Sequence, residues 1–489
     1  MALLSVDAGT TGVTALIVGD DTRVLSRGYA EFAQHFPADA WVEHDPGQIW
    51  SAVLIAVREA LAASPVQPQA IGITNQRETV CFWDRETLGS ARRAIVWQDR
   101  RTADTCEALR ESGVEPDVTA CTGLRLDPYF SATKIDWVRR NDPVTWAGIT
   151  SQRVAVGTVD SYLVARMTRG LQHITDPTNA SRTLLMDLAT GTWSAQMAEL
   201  FGVPLTCLPE IVPSYGSLGR TDPSTFLGLD LPITGIAGDQ QAALIGQGGV
   251  RAGDAKCTYG TGAFVLVATG EQLVQAPDGL LSTVALGHPG GRLTYALEGS
   301  VFVAGSAVQW LRDGLGIIGS ADEVTALAET VPDSGGVVVV PALTGLGAPQ
   351  WDPSARGLVI GITRGTTAGH IARATLDGIA SQVRDVVEVI ATRTPLTHLA
   401  VDGGAAASDL LCQRQADLLQ CRVERSRELQ ATGVGAALLA GVGVGRWGSL
   451  DDLARILERD RVFLPGPPDE EATRQWRRAV ERARHWAEG

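Results

Sequence analysis

Apolar positions along the chain fall into short runs, and two of these runs break at clusters of glycine and threonine. The first run, Leu3 to Val6, leads into Asp7-Ala8-Gly9-Thr10-Thr11-Gly12, and apolar Val13 to Val18 follow. Such runs on either side of a Gly/Thr cluster predict strand, tight turn and returning strand. The second is Asp254-Ala255-Lys256-Cys257-Thr258-Tyr259-Gly260-Thr261-Gly262, followed by Ala263 to Ala268, and it predicts the same hairpin. Two such hairpins in the two halves of the chain point to a duplicated domain. A third run, Leu399 to Asp402, ends in Gly403-Gly404 and gives way to a helical pattern over Asp409 to Leu419. Strand, glycine pair and helix N-terminus make an edge suited to phosphate or nucleotide.

Helical spacing recurs at Ile371, Ala374, Ile379, Val383, Val386 and Ile390. It predicts a long core helix over Thr367 to Thr392, with Thr366 or Thr367 as its N-cap. Asp469 to Ala487 predicts an exposed amphipathic helix. Leu231 to Gly238 predicts a strand that ends in Gly238-Asp239 and opens a helix rich in Gln and Ala. Gln247-Gly248-Gly249 permits a hinge, so the expected domains are 1–247 and 248–489.

Composition narrows the function. A chain of 489 residues is too long for one ordinary core, which favours two large domains. Hydrophobic residues make up 45% and charged residues 20%, a globular balance. No apolar run reaches the roughly 18 residues that span a bilayer, so no membrane insertion is expected. Met1 to Val6 lacks a basic segment and runs straight into the first glycine motif, which predicts no cleaved signal peptide and a cytoplasmic protein. The net charge of -14 argues against nucleic acid as the main partner. The seven cysteines are odd in number and form no C-x-x-C, so they are expected to be reduced packing residues. Lys134 and Lys256 are the only lysines, and neither sits in G-x-x-x-x-G-K-[ST]. That excludes a P-loop.

The candidate chemistry collects at the run ends. In Asp7-Ala8-Gly9-Thr10-Thr11, glycine permits close backbone approach to phosphate, the hydroxyls donate to it, and the carboxylate can reach Mg²⁺. An ordinary hairpin turn would also carry such an Asp. The repeat of the motif at Thr261 favours the phosphate reading, and paired phosphate hairpins facing a cleft are the arrangement of actin-like ATPases. Arg77 and Glu78 follow the strand Ala70 to Thr74, where Arg can donate to a polyol and Glu accept from it. A surface ion pair is the plainer alternative. Asp239, at a strand end opening a helix, is placed to accept a hydroxyl proton, although an N-cap would look the same. Phosphoryl transfer needs little more than a positioned nucleophile, a base and neutralised phosphate charge. Trp97, Tyr129 and Phe264 are aromatics beside these motifs that could cover the C–H faces of a polyol or simply pack.

Several longer segments carry a resemblance. Tyr129 to Val138 and Gly357 to Asp377 are similar to the FGGY carbohydrate kinase family. Trp41-Val42-Glu43-His44-Asp45-Pro46, Asn75-Gln76-Arg77-Glu78-Thr79, Thr178 to Thr183, Gly238 to Leu244 and Thr344 to Pro349 resemble the members that phosphorylate glycerol. The resemblance runs over about residues 3–448. It implies an α/β fold of two actin-like (ribonuclease H-like) ATPase domains with a cleft between them. The first would hold the substrate and a phosphate hairpin, and the second the nucleotide.

The implied activity is ATP-dependent phosphorylation of glycerol to sn-glycerol 3-phosphate. Arg77, Glu78, Tyr129, Asp239 and Gln240 would hydrogen-bond glycerol, with Trp97 and Phe264 packed on it and Asp239 as general base. Thr10, Thr11, Gly12, Thr261, Gly305, Gln309, Gly404 and Ser408 would line the ATP site, and Asp7 and Asp239 would lie near Mg²⁺. A homodimer or homotetramer is implied as well.

The chain also departs from the family pattern. Ala8, Gly12 and Thr14 stand where the family commonly has Gln, Ser and Arg, and Ser408 stands where it often has Asn. Thr221 to Asp230 lacks the Gly-rich, Arg-containing segment with which some bacterial members bind fructose 1,6-bisphosphate, so that control is expected to be absent. A kinase for another polyol or ketose remains open. A non-enzymatic ATP-binding module would leave Arg77-Glu78, Tyr129 and Asp239-Gln240 without a task.

Overall fold

Both predicted hairpins form, and each becomes the centre of its own sheet. The computed structural model describes residues 2–277 and 279–487. In the first sheet β1 (Ala2–Ala8) and β2 (Gly12–Gly19) are antiparallel, and β3 (Val24–Glu31) continues the meander. β4 (Pro68–Asn75) lies parallel to β1 on the other side. β5 (Tyr215–Arg220) and β6 (Pro232–Gly238) complete this sheet, β6 parallel to β4 and β5 antiparallel at the edge. The order is β5-β6-β4-β1-β2-β3.

Helix α1 (Asp239–Gly246) then leads to the second sheet. There β7 (Asp254–Tyr259) and β8 (Ala263–Gly270) form the hairpin, and β9 (Leu281–Gly287) and β10 (Leu293–Val301) extend it. After α2 (Gly305–Asp313) and α3 (Ala368–Ala391), β11 (His398–Asp402) lies parallel to β7. Helix α4 (Asp409–Leu419) connects to β12 (Val423–Ser426), parallel to β11. After α5 (Ala431–Gly443), β13 (Arg459–Phe463) adds an antiparallel edge, and α6 (Glu470–Ala483) follows. The order is β9-β10-β8-β7-β11-β12-β13.

The same five-strand pattern therefore occurs twice, as β3-β2-β1-β4-β6 and as β10-β8-β7-β11-β12. Parallel central strands are covered on both faces, which is why Ala2 to Val6 and Leu399 to Val401 are buried almost without interruption. Thr367 does sit at the N-cap of α3, where its backbone N–H donates to His370 Nδ1 at 3.1 Å. The amphipathic α6 buries Trp476, Ala479, Val480 and Ala483 beside Val340, Ala342 and Leu346. All seven cysteines are free. Among the described residues no helix is long and apolar enough to cross a membrane.

Helix α5 lies in sequence between β12 and β13 of the second sheet but packs on the first. Val434, Ala437, Leu438 and Leu439 share a core with Leu3, Leu16 and Ala237, and with Ala242 and Ile245 of α1. The helix pair α1–α5 sits backbone against backbone. A Cβ at Gly435 would lie 1.8 Å from the Ala242 carbonyl oxygen, so only glycine permits the approach.

The tip of the first hairpin is held by buried polar side chains. Gln34 Nε2 donates to the Thr10 carbonyl and Gln76 Nε2 to the Gly9 carbonyl, each at 2.9 Å. His44 lies between these two, 2.6 Å from Gln34 Oε1 through Nε2 and 3.3 Å from Gln76 Nε2 through Nδ1. A neutral ring with its proton on Nε2 satisfies both contacts. Burial, with a contribution from His35, pushes the His44 pKa down to about 4.

Two expectations follow from this packing. Gly435→Ala should destabilise the protein by about 1–3 kcal/mol, read as an earlier urea midpoint. Gly404→Ala, where an added Cβ meets nothing within 4 Å, should stay within about 0.5 kcal/mol of wild type. His44 should titrate near pH 4 by nitrogen NMR, with the Gly9 and Thr10 amide signals moving with it. Its unfolded pKa is about 6.5, so the stability from keeping it neutral is complete above that pH and is lost as pH falls through about 4. A midpoint above 6 would contradict the network.

Candidate functional site

Three parallel strands of the first sheet end side by side. Register pairs Asp7 with Thr74 and Gly238 with Asn75. Asp7, the turn after Asn75, and Asp239 therefore meet at one edge, the carboxyl ends where open α/β sheets bind ligands. The second sheet repeats this. Thr258 pairs with Asp402, so the Gly260-Thr261-Gly262 tip lies beside Gly403-Gly404. Gly305 N–H donates to the Gly260 carbonyl at 2.9 Å, and Ser306 N–H to the Thr261 carbonyl at 3.1 Å. These bonds bring the start of α2 to the same tip.

The predicted phosphate residues differ in what they present. Thr11, Thr261, Gln309 and Gly404 are exposed, and Thr10 and Gly305 are half-buried. Gly12 is buried against β3. Ser408 is already engaged, because its hydroxyl caps α4 by accepting from Leu411 N–H at 3.3 Å and accepts from Thr325 Oγ1 at 2.8 Å.

Arg77 and Glu78 occupy the turn after β4, and both side chains are fully buried. A surface ion pair is thereby ruled out. Nor are the two each other's main partner, since Arg77 Nε lies 3.9 Å from Glu78 Oε1. Arg77 Nε lies 3.2 Å from Asp239 Oδ1. Its terminal nitrogens donate to Glu298, Nη1 to Oε2 at 2.6 Å and Nη2 to Oε1 at 2.9 Å. Glu78 instead accepts from Arg182 Nε at 2.7 Å, and Arg182 Nη2 donates to Glu298 Oε1 at 3.0 Å.

Glu78 has φ +63°, a left-handed backbone rarely adopted outside glycine. Ser131 Oγ donates to its carbonyl at 2.8 Å and so helps to hold it there. Strain of this kind, about 1–3 kcal/mol, is concentrated at working sites. Glycine at 238 lets the Arg77 stem cross the end of β6, where a Cβ would come 2.7 Å from Arg77 Cδ.

The aromatics connect this turn to the first hairpin. Trp97 Nε1–H donates to Thr10 Oγ1 at 3.0 Å. Its ring meets Tyr129 edge to face at 5.4 Å between centroids. Arg182 lies 5.7 Å over the Tyr129 ring. Lys134 donates to the Tyr129 carbonyl at 2.8 Å and fixes that turn. Phe264, half-buried on β8, is in register with Thr258 and Ser300.

Asp239 is 27% exposed and opens α1 toward the cleft edge, and Gln240 beside it is buried. Thr178 Oγ1 accepts from Gly238 N–H at 2.8 Å, which ties the segment bearing Arg182 to the Asp239 turn.

Electrostatics separates the carboxyl groups. Burial, and then the Asp239 carboxylate, push Asp7 up to about 7. Burial would raise Glu298 too, but Arg182 and Arg77 outweigh it and hold the group down at about 2. Burial lowers the Lys256 ammonium, against the pull of Asp402. Two carboxyl groups repelling each other at a cleft edge fit a divalent cation such as Mg²⁺. That ion takes one or two carboxylates and fills its remaining positions with water and phosphate oxygens. Among the described residues no cluster of three or more His, Cys, Asp or Glu could form an all-protein metal cage.

The site also contains residues that sequence reasoning passed over. Glu298 and Lys256 belong to the second sheet, yet both reach the Arg77–Gln240 region. Lys256 Nζ donates to Gln240 Oε1 and, at 3.0 Å, to Thr258 Oγ1. For Glu298 the available signal was a charged residue alone in an apolar strand, and for Lys256 a lysine between Ala255 and Cys257.

Comparisons with known proteins agree with this geometry. The N-terminal domain model of the FGGY family of carbohydrate kinases matches residues 2–246, and the C-terminal domain model matches residues 255–444. A glycerol kinase of Trichlorobacter lovleyi is 50% identical over 494 residues, covering 99% of each chain. One of Thermus brockianus is 49% identical with the same coverage. Among solved structures, a Plasmodium falciparum glycerol kinase with ADP aligns at TM-score 0.92 and 35% identity, covering 99% of this chain and 98% of that one. With both domain models matched in order and relatives similar from end to end, the chain belongs to the FGGY family of carbohydrate kinases.

Proposed function

We propose that this protein phosphorylates glycerol with ATP to give sn-glycerol 3-phosphate. The observation that carries the reading is the buried turn Arg77-Glu78, set beside Asp239, Tyr129 and Trp97 at the end of the first phosphate hairpin. End-to-end similarity to proteins named glycerol kinase supports the choice of polyol.

Glycerol would lie over Asp239, with Arg77, Glu78, Tyr129 and Gln240 on its hydroxyls and Trp97 and Phe264 against its carbons. ATP would span the two hairpins, with Thr10, Thr11, Thr261, Gly305, Gln309 and Gly404 along it. Asp239 takes the proton of a primary hydroxyl as that oxygen forms its bond to the γ-phosphorus in line. The bond from that phosphorus to the β–γ bridging oxygen breaks, and ADP leaves. Asp7 and Asp239 would hold Mg²⁺, which supplies neutralisation of phosphate charge when bound. Closing the cleft would exclude water, which otherwise competes for the phosphoryl group. The two domains, residues 1–247 and 248–489, would move about the turn that follows α1.

A panel of glycerol, erythritol, xylulose and no acceptor tests the reading. Glycerol should exceed the others in kcat/KM by about 100-fold, with little ATP hydrolysis in its absence. Transfer only to another acceptor, or hydrolysis alone, would exclude glycerol kinase activity. Asp239→Asn should lower kcat by about 10²–10⁴-fold while calorimetry still detects glycerol binding. Normal turnover in that variant would remove Asp239 as the base.

A further inference from the structure

Two buried charges of the second sheet cross to the first. Lys256, Leu266 and Glu298 form one row across β7, β8 and β10. In a sheet, residues paired across strands point to the same face. From that face Lys256 reaches Gln240 and Glu298 reaches Arg77. Both recipients are residues assigned above to glycerol, and both belong to the first half of the chain. The donor strands run into the nucleotide edge. β7 continues into Gly260-Thr261, and β10 continues through Phe302 to Gly305.

Glu298 has the stronger grip of the two. It is fully buried and holds both terminal nitrogens of Arg77, and it also accepts from Arg182. This leaves the Nε edge of Arg77 facing Asp239 and Glu78. We infer that Glu298 is a positioning residue for phosphoryl transfer: by holding the far edge of the Arg77 guanidinium it aims the near edge at the polyol and the base, and it couples both to the strand that leads to the nucleotide edge. The inference rests on the kinase reading of this same site.

The alternative arrangement shows why a carboxylate is needed there. Without the charge on Glu298, two buried guanidiniums would share Glu78 and Asp239. Arg77, already 3.2 Å from Asp239, would turn its freed N–H groups onto that carboxylate in a bidentate pair. The lone pairs that accept the hydroxyl proton would then be occupied. The loss would fall on the polyol and on the chemical step, and not on ATP affinity.

The test is steady-state kinetics of full-length Glu298→Gln with the polyol the wild type uses best. We expect kcat/KM for the polyol to fall by about 100-fold, with KM for ATP within about twofold of wild type. Glu298→Asp, which keeps the charge, should recover part of the loss. An unchanged kcat and unchanged KM for the polyol, even with a lowered Tm, would make Glu298 structural only and overturn the inference. Should Glu298→Gln fail to fold, Glu298→Gln/Arg182→Gln removes one charge of each sign and is compared with Arg182→Gln alone. Equal polyol kinetics in that pair would also overturn it. A wild type inert toward every polyol would fail the kinase reading and take this inference with it, whereas an active wild type matched by its Glu298→Gln variant fails the inference alone.

Discussion

A guanidinium removed from water must find carboxylates, and the Arg77 position depends on that requirement. Glu298 takes its terminal nitrogens, and Asp239 and Glu78 face its Nε. Arg182 closes the set by joining Glu78 to Glu298. Desolvating such ions is expensive, and removing one partner from a buried pair costs about 3–5 kcal/mol because the other is left uncompensated. Each member is therefore held in place by the cost of any other arrangement. The set spans two sheets, since Glu298 lies on β10 while Arg77, Glu78, Arg182 and Asp239 precede the second sheet. An ionic group of this kind fixes geometry better than it adds stability, which suits a site where misplacement by an ångström is costly.

The duplicated topology explains why the remaining chemistry gathers where it does. Parallel strands end together, so their following loops form one edge in each half. In the first half that edge carries Asp7, Arg77 and Asp239. In the second it carries Thr261 and Gly404, with Gly305 tied in by its bond to Gly260. The pair α1–α5 joins the halves through a shared apolar core and a close backbone approach, where Gly435 meets Ala242.

Much of this was legible in the chain because it depends on local signals. Glycine-threonine tips between apolar runs marked both hairpins, and Gly238-Asp239 marked the change from strand to helix. The six apolar positions from Ile371 to Ile390 marked α3 within a residue at each end. Contacts at long range were not legible. Arg77 and Glu298 are 221 residues apart, and nothing near either names the other. Adjacency in sequence misled about Arg77 and Glu78, whose charges are directed to different partners. Nor does position in the chain show that α5, set between β12 and β13 of the second sheet, packs in a core with residues of the first.

The scarcity of lysine gives the last step. Under the proposed function an acidic chain would meet a polyanion and need cations at the site, yet both lysines are buried in structural contacts to carbonyls or side-chain oxygens. Arg77 and Arg182 are committed to carboxylates. Thr14, beyond the first tip, supplies no charge. What the hairpin tips offer is backbone N–H groups and the hydroxyls of Thr10, Thr11 and Thr261. Such dipoles orient phosphate oxygens but do not cancel their full charge. Under the proposed function most of the neutralisation would fall on a divalent cation at Asp7 and Asp239, whose mutual repulsion favours one.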